Sequence, residues 1–260
     1  MRVAAGALTG FVVGMTGVGG GALMTPILLL VFGTAPLTAV GTDLWFAAIT
    51  KIAVTGLHLR QGLIDWLVVR RLWTGSLPAS VLTVVWMARH PMDEASVTFV
   101  KIAIAIAVCI TALSLVLPRS LSRPSTATRP LSQANGTWPW EGPLTVAAGI
   151  ALGALVTLTS VGAGALGAVF LYHLYPARLT PSRLVATDIA HAIPLAFCAG
   201  LGHLANSQVD GGLLRDLLVG SIPAALAGAS VGSRVPQGLL RVSLGVVLLA
   251  VGLLMLRQAM

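Results

Sequence analysis

Apolar residues fall in long runs along the chain, and charges are confined mostly to the short stretches between them. Runs such as 101–117, KIAIAIAVCITALSLVL, and 239–256, LLRVSLGVVLLAVGLLML, approach the roughly 20 residues an α-helix needs to cross hydrocarbon. The pattern predicts eight hydrophobic segments, at about 3–32, 36–58, 66–88, 96–117, 144–174, 182–205, 213–233 and 238–256. Residues 119–142, RSLSRPSTATRPLSQANGTWPWEG, are rich in Pro, Ser and Arg, lack apolar periodicity and read as a flexible linker. The chain therefore divides into a first unit at 1–118, the linker, and a second unit at 143–260.

The second unit reads as a copy of the first. An offset of 145 pairs Val40, Thr42 and Asp43 with Val185, Thr187 and Asp188, and His58-Leu59 with His203-Leu204. It also pairs Asp65 with Asp210, Arg70 with Arg215, Gly75-Ser76 with Gly220-Ser221, and Pro78-Ala79 with Pro223-Ala224. Chance would not hold polar residues in register across some forty positions, so a duplication is indicated. With the offset reduced by two, TGVGGGAL at 16–23 falls on TSVGAGAL at 159–166. The expected fold is an all-α polytopic membrane protein with two pseudo-symmetric halves of about four segments each.

These two glycine-rich stretches interrupt the first segment of each half. About 13 apolar residues precede the first cluster and about 11 follow it, so each piece would reach only about 16–20 Å as a helix. Either the two pieces form one bent crossing, or they form a re-entrant hairpin, which short pieces suit better. A bent crossing gives eight spans and cytoplasmic termini; a hairpin gives three spans per half, inverted halves and termini outside. Arg60, Arg70, Arg71, Arg119, Arg123 and Arg129 face the cytoplasm in both cases. Broken backbone at membrane depth is tolerated where it is buried in protein or lines a polar cavity. Freed helix N-termini would then offer N–H groups and positive dipole ends to an anion. Thr16, Gly17, Gly19, Gly20, Gly21, Thr159, Ser160, Gly162 and Gly164 are the candidate binding residues on that reading. The same glycines could instead serve only close helix packing.

Composition agrees with a membrane protein: 56% of residues are hydrophobic and 9% charged, against about 25% charged in an ordinary soluble domain. The net charge of +8 is scattered over segment ends and the linker, which reads as a topology signal and not as a nucleic-acid surface. Cys109 and Cys198 lie in apolar runs, so neither a disulfide framework nor a Cys-rich metal site is expected. The N-terminus carries no cleavage site before a polar sequence and is kept as part of the fold.

Asp43, Lys51, Lys101, Asp188 and His191 fall in or near apolar runs, where a charge costs at least about 2.5–3.5 kcal/mol at a helix centre. Asp43 and Asp188 each follow a Thr near the start of a segment; they either cap a helix or are buried carboxylates able to carry a proton or bind a cation. Lys51 lies eight positions after Asp43, about 80° round a helix and able to share its face. Its place in the duplicate is taken by Ala196, while Phe46 is matched by His191, so basic character sits differently in the two halves. Lys51 is the expected fixed positive charge of an anion site, with Asp43 its partner when empty. Lys101, near the start of its run, reads as snorkelling to the interface. His58 and His203 read as interfacial caps or entrance residues, since no third ligand accompanies either at metal spacing.

The stretches GFVVGMTGVGGGALMTPILLLVFG, AVGTD, HLRQGLIDW and GSLPASV together resemble the first half of the TauE/SafE family of membrane permeases, and the second half repeats the pattern more weakly. That resemblance implies a secondary carrier for small sulfur-containing anions such as sulfite, sulfonates or sulfoacetate. Departures are Ser160 for Gly17, Ala163 for Gly20, and HLANS at 203–207 for HLRQG at 58–62. Import or export, and the anion itself, stay open.

The expected function is thus alternating access of two halves about a midplane anion site in the cell membrane, with proton coupling through Asp43 and Asp188 one option. The partners are a small anion and the bilayer, with no cofactor, metal or nucleic acid; a homo-oligomer is left open. An anion channel is the main alternative, because Gly-rich backbone also builds filters. An intramembrane enzyme or a non-transporting membrane partner fits less well, since no Ser or Asp stands at catalytic spacing.

Overall fold

The computed structural model describes residues 1–16, 21–55, 62–90, 93–116, 140–162, 164–176, 178–232 and 237–259. Among these the chain is all-helical: α1 (Arg2–Thr16), α2 (Gly21–Leu30), α3 (Pro36–Thr55), α4 (Trp66–Arg89), α5 (Glu94–Val116), α6 (Glu141–Thr159), α7 (Ala165–Leu174), α8 (Pro181–Ala205), α9 (Gly211–Gly232) and α10 (Gln237–Ala259). Six of these, α3, α5, α6, α8, α9 and α10, are long and apolar enough to cross a membrane. Helix α6 begins at Glu141, two residues inside the stretch read as linker. Apolar side chains such as Leu82, Phe99, Ile110, Leu113, Val246 and Val247 point outward, while many Thr, Ser and Asp residues are buried. Lipid accepts that arrangement and water would not.

Glycine seams set the directions of the helices. On α1, Gly6, Gly10 and Gly14 lie against Leu217, Ser221 and Ala225 of α9, each too close for a Cβ, so α1 and α9 run parallel. On α6, Gly149 and Gly153 lie in the same way against Leu72 and Ser76, so α6 runs parallel to α4. Helix α3 runs with α9: the Asp210 N–H donates to Thr42 Oγ1 at 3.1 Å, and Thr50 Oγ1 is 3.0 Å from Ser221 Oγ. Helix α8 runs with α4: the Asp65 N–H donates to Thr187 Oγ1 at 3.0 Å, and Trp73 Nε1 donates to the His191 carbonyl at 3.3 Å.

Helices α3 and α8 cross antiparallel, with Trp45 Nε1 donating to the Gly200 carbonyl at 3.0 Å and Gly41 against His203. Helix α10 is antiparallel to α5, placing Gly245 near Ala112 and Gly252 near Cys109. Since α1 and α3 point the same way, α2 must return between them. Helix α7 also returns: Tyr175 OH, just past its end, is 2.7 Å from Thr145 Oγ1 near the start of α6. A straight continuation would hold those groups about 45 Å apart. Helices from both sides of the linker therefore interleave around the α3–α8 crossing.

Candidate functional site

The eighth residue of α3 is Asp43 and the eighth of α8 is Asp188. What ties the two carboxylates to one region is Lys51 on α3, whose charge reaches both. Asp43 is 0% exposed, Asp188 3%, Lys51 4% and His191 1%. Neither Asp starts a helix. The capping role belongs to Asp65 and Asp210, whose carboxylates accept the N–H of Val68 at 3.4 Å and of Leu213 at 2.9 Å.

Each buried carboxylate meets the beginning of a returning helix. The Thr25 hydroxyl, in the second turn of α2, donates to Asp43 Oδ2. Asp188 Oδ1 lies where a Cβ on Gly167, the third residue of α7, would stand. Helix N-termini carry positive partial charge, which offsets the cost of burying these acids. The Lys51 ammonium interacts with both Asp188 and Asp43, and His191 lies within reach of its charge. His191 Nε2 is 2.9 Å from Ser76 Oγ on α4.

The turn between α6 and α7 adds backbone. Ser160 has φ 58°, Gly162 φ 120° and Gly164 φ 136°. Gly162 thus holds a backbone conformation that L side chains rarely adopt. Thr159 spends its hydroxyl on this turn: it donates to the Leu155 carbonyl at 2.7 Å and accepts the Val161 N–H at 3.1 Å. Ser160 lies beside the Asp43 carboxylate. Four buried atoms at this centre, Asp43 Oδ1, Asp188 Oδ1, His191 Nδ1 and Ser160 Oγ, have no hydrogen-bond partner among the described residues. Buried polar groups of that kind are expensive unless something satisfies them.

The expected site residues are thus brought together in part. Asp43, Lys51, Ser160, Asp188 and His191 converge. Thr159, Gly162 and Gly164 shape the turn beside them, and Thr16 ends α1 with its hydroxyl donating to the Val12 carbonyl at 2.8 Å. Gly21 opens α2, while Gly17, Gly19 and Gly20 lie outside the described residues. Thr25, Thr50, Ser76 and Ser221 join the polar centre without having been singled out, although Ser76 and Ser221 belong to a matched pair in the sequence.

His203 is not an entrance residue. It is 1% exposed, with Nδ1 2.8 Å from Gln208 Oε1 and Nε2 2.9 Å from the Thr157 carbonyl; its counterpart His58 lies outside the described residues. Lys101 is exposed, as a snorkelling lysine requires. Among the described residues, no three His, Cys, Asp or Glu side chains are grouped so as to hold a metal.

At the end of the molecule where α4 and α8 begin, Asp65 accepts hydrogen bonds from Arg178, and Arg183 approaches to 3.8 Å. Burial pushes the Asp65 carboxyl up, but the hydrogen bonds from Arg178 and the Val68 N–H and the two guanidinium charges outweigh it, holding the group below its ordinary 3.8. Arg71 Nη1 donates to Tyr175 OH at 3.0 Å on the same side.

Comparison with known proteins gives two findings. The model of the family described as Sulfite exporter TauE/SafE matches residues 2–255. A relative from Bacillus subtilis (strain 168), named probable membrane transporter protein YjnA, is 35% identical over 256 residues that cover 95% of this chain and 96% of the relative. No solved structure matches.

Proposed function

The chain belongs to the sulfite exporter TauE/SafE family, a multi-pass membrane transporter family, and from that membership we propose that it is a secondary carrier for a small sulfur-containing anion. The observation that carries this reading is Lys51, a buried cation on α3 whose charge reaches both Asp43 and Asp188. A cation in hydrocarbon needs a counter-charge, and two exchangeable ones let an anion enter and leave. The α2 and α7 N-termini and the Ser160 and His191 side chains supply further donors.

Two inverted repeats account for the architecture. The contacts come in pairs related by the sequence offset: Asp65 N–H to Thr187 and Asp210 N–H to Thr42; Gly149 on Leu72 and Gly6 on Leu217; Gly153 on Ser76 and Gly10 on Ser221. In this reading α1–α2 and α6–α7 are re-entrant hairpins, and the site lies at the membrane midplane between them. The moving bodies are not the sequence halves, because the glycine seams tie α1 to α9 and α6 to α4. They are α1, α2, α3 and α9 on one side and α6, α7, α8 and α4 on the other, rocking about the α3–α8 contact. Lys51 on the first body faces Asp188 on the second, so the charge pair spans the moving surface.

Uptake of labelled sulfite and methanesulfonate into vesicles containing the purified protein tests the reading. Saturable uptake that Lys51→Ala abolishes is expected. Single-channel conductance far above a carrier's turnover would replace it with the channel reading, and absence of uptake under every gradient would overturn both.

A further inference from the structure

The polar centre holds three formal charges in a space shut off from water: Lys51 positive, Asp43 and Asp188 negative when ionised. His191 is counted neutral, its Nε2 facing the Ser76 hydroxyl and its ring within reach of the Lys51 charge. The other elements packed here bring no further charge among the described residues: α2 presents Thr25, α4 presents Ser76, α7 presents Gly167, α9 presents Ser221 and the α6–α7 turn presents Ser160. Asp65, the nearest acid on the α4 side, is held by Arg178 at the end of the helix.

A buried site cannot tolerate a net charge without a cost of several kcal/mol, so the empty site is neutral only when the two carboxylates share one proton. A singly charged anion beside Lys51 adds one negative charge, and neutrality then requires a second proton. Hydrogen bonding points the same way. Asp188 Oδ1 has no partner among the described residues, and an ionised carboxylate only accepts, as the oxygens of a sulfonate do. Acceptor can meet acceptor only across a proton.

We propose that Asp43 and Asp188 act as one proton pool around Lys51, so that each singly charged anion crosses with one proton and no net charge. The inference rests on the anion-carrier reading above and deepens it. It also sets the substrate class. A dianion would need two protons where the pool has one vacancy, so sulfate and sulfoacetate are refused while sulfonates with one charge and hydrogensulfite are accepted. The pool has a further consequence. With Asp43→Asn or Asp188→Asn alone, the empty site is neutral without a proton and the loaded site is neutral with one, so the ratio stays at one.

The experiment uses vesicles of the full-length protein with methanesulfonate, which keeps one charge at all relevant pH values, and with sulfite at pH 6. Proton and anion fluxes are measured together while the membrane potential is clamped. The expected result is one proton per anion, acceleration by an inward proton gradient, no response to voltage, and no competition by sulfate. Each single Asn variant keeps that ratio with a displaced pH profile. Uptake in the parent protein that follows voltage without protons overturns the inference, and so does complete uncoupling by one Asn substitution. The parent measurement needs no variant to fold. Absence of uptake for both probes instead removes the anion-carrier reading on which the inference stands.

Discussion

Asp65 accepts two hydrogen bonds from one guanidinium, from Arg178 Nε to Oδ2 at 2.6 Å and from Nη2 to Oδ1 at 3.0 Å. The carboxylate side chain is 5% exposed and the arginine 39%, so the pair is bidentate but partly wet. Arg178→Gln should lower stability by about 1–2 kcal/mol, discounted from the loss of a fully buried pair because water screens the arginine. Asp65 also gives the fold a pH dependence of defined sign. Its carboxyl is held below the ordinary value, so its contribution is present above the unfolded value of about 3.9 and fades as the pH falls through the lower folded value. Thermal unfolding in detergent at pH 7 and at pH 3 checks both points: the difference between parent and Arg178→Gln should shrink at the lower pH. Equal midpoints at pH 7 would mean that the pair contributes nothing.

Lys51 is the fixed cation of the proposed site, and the choice of substituent separates charge from packing. A hydrogen bond to a charged group contributes about 1.5–3 kcal/mol. Lys51→Ala should therefore raise the Kd for methanesulfonate roughly 10- to 150-fold, while Lys51→Arg, which keeps the charge, should raise it far less. Binding measured by calorimetry in detergent decides it. Unchanged affinity in the alanine variant would leave the helix N-termini as the source of positive character.

Gly167 and Gly153 predict opposite kinds of damage. A Cβ at Gly167 would stand on Asp188 Oδ1, the end of a side chain that can swing away, whereas a Cβ at Gly153 meets the Ser76 backbone carbonyl. Gly167→Ala should displace the carboxylate and cut transport at least about tenfold while costing less than about 1 kcal/mol of stability. Gly153→Ala must push α6 off α4 and should cost about 1–3 kcal/mol. Paired transport and thermal-shift measurements distinguish them, and a Gly167→Ala protein with full transport would remove Asp188 from the working site.

Much of the membrane architecture can be read from local pattern, and the site only where pattern carries charge. The apolar runs mark the helices, and the Gly and Ser residues at 160–164 coincide with the end of α6 and the start of α7 because Ser160, Gly162 and Gly164 take positive φ there. Asp43, Lys51, Asp188 and His191 stand out because ionisable groups are costly in hydrocarbon. Thr25 and Ser76 do not stand out, since threonine and serine are ordinary in membrane helices and only the tertiary packing turns them toward Asp43 and His191. The same holds for Asp65, whose arginine is 113 residues away, and for the α1–α9 seam. His203 reads from the sequence as an interfacial cap or an entrance residue because it ends an apolar run, and its burial against Thr157 of α6 removes only the entrance alternative.

The side of the membrane on which the chain ends follows from helix direction and arginine placement. Helices α1, α3 and α9 run one way and α4, α6 and α8 the other, so the chain turns at one end between α3 and α4, α5 and α6, α7 and α8, and α9 and α10. The segments joining helices there, with the helix turns next to them, contain Arg60, Arg70, Arg71, Arg119, Arg123, Arg129, Arg178, Arg183, Arg234 and Arg241, ten residues in all. The opposite end, where both termini belong, has five: Arg2, Arg89, Lys101, Arg215 and Arg257. Positive residues are retained in the cytoplasm, so the expected orientation puts the end richer in arginine in the cytoplasm and both termini outside. Fusions at the C-terminus read this directly. Alkaline phosphatase, which needs the oxidising exterior for its disulfides, should be active there, and a green fluorescent protein should stay dark. A fluorescent C-terminal fusion with an inactive phosphatase would place the termini in the cytoplasm and reverse this orientation.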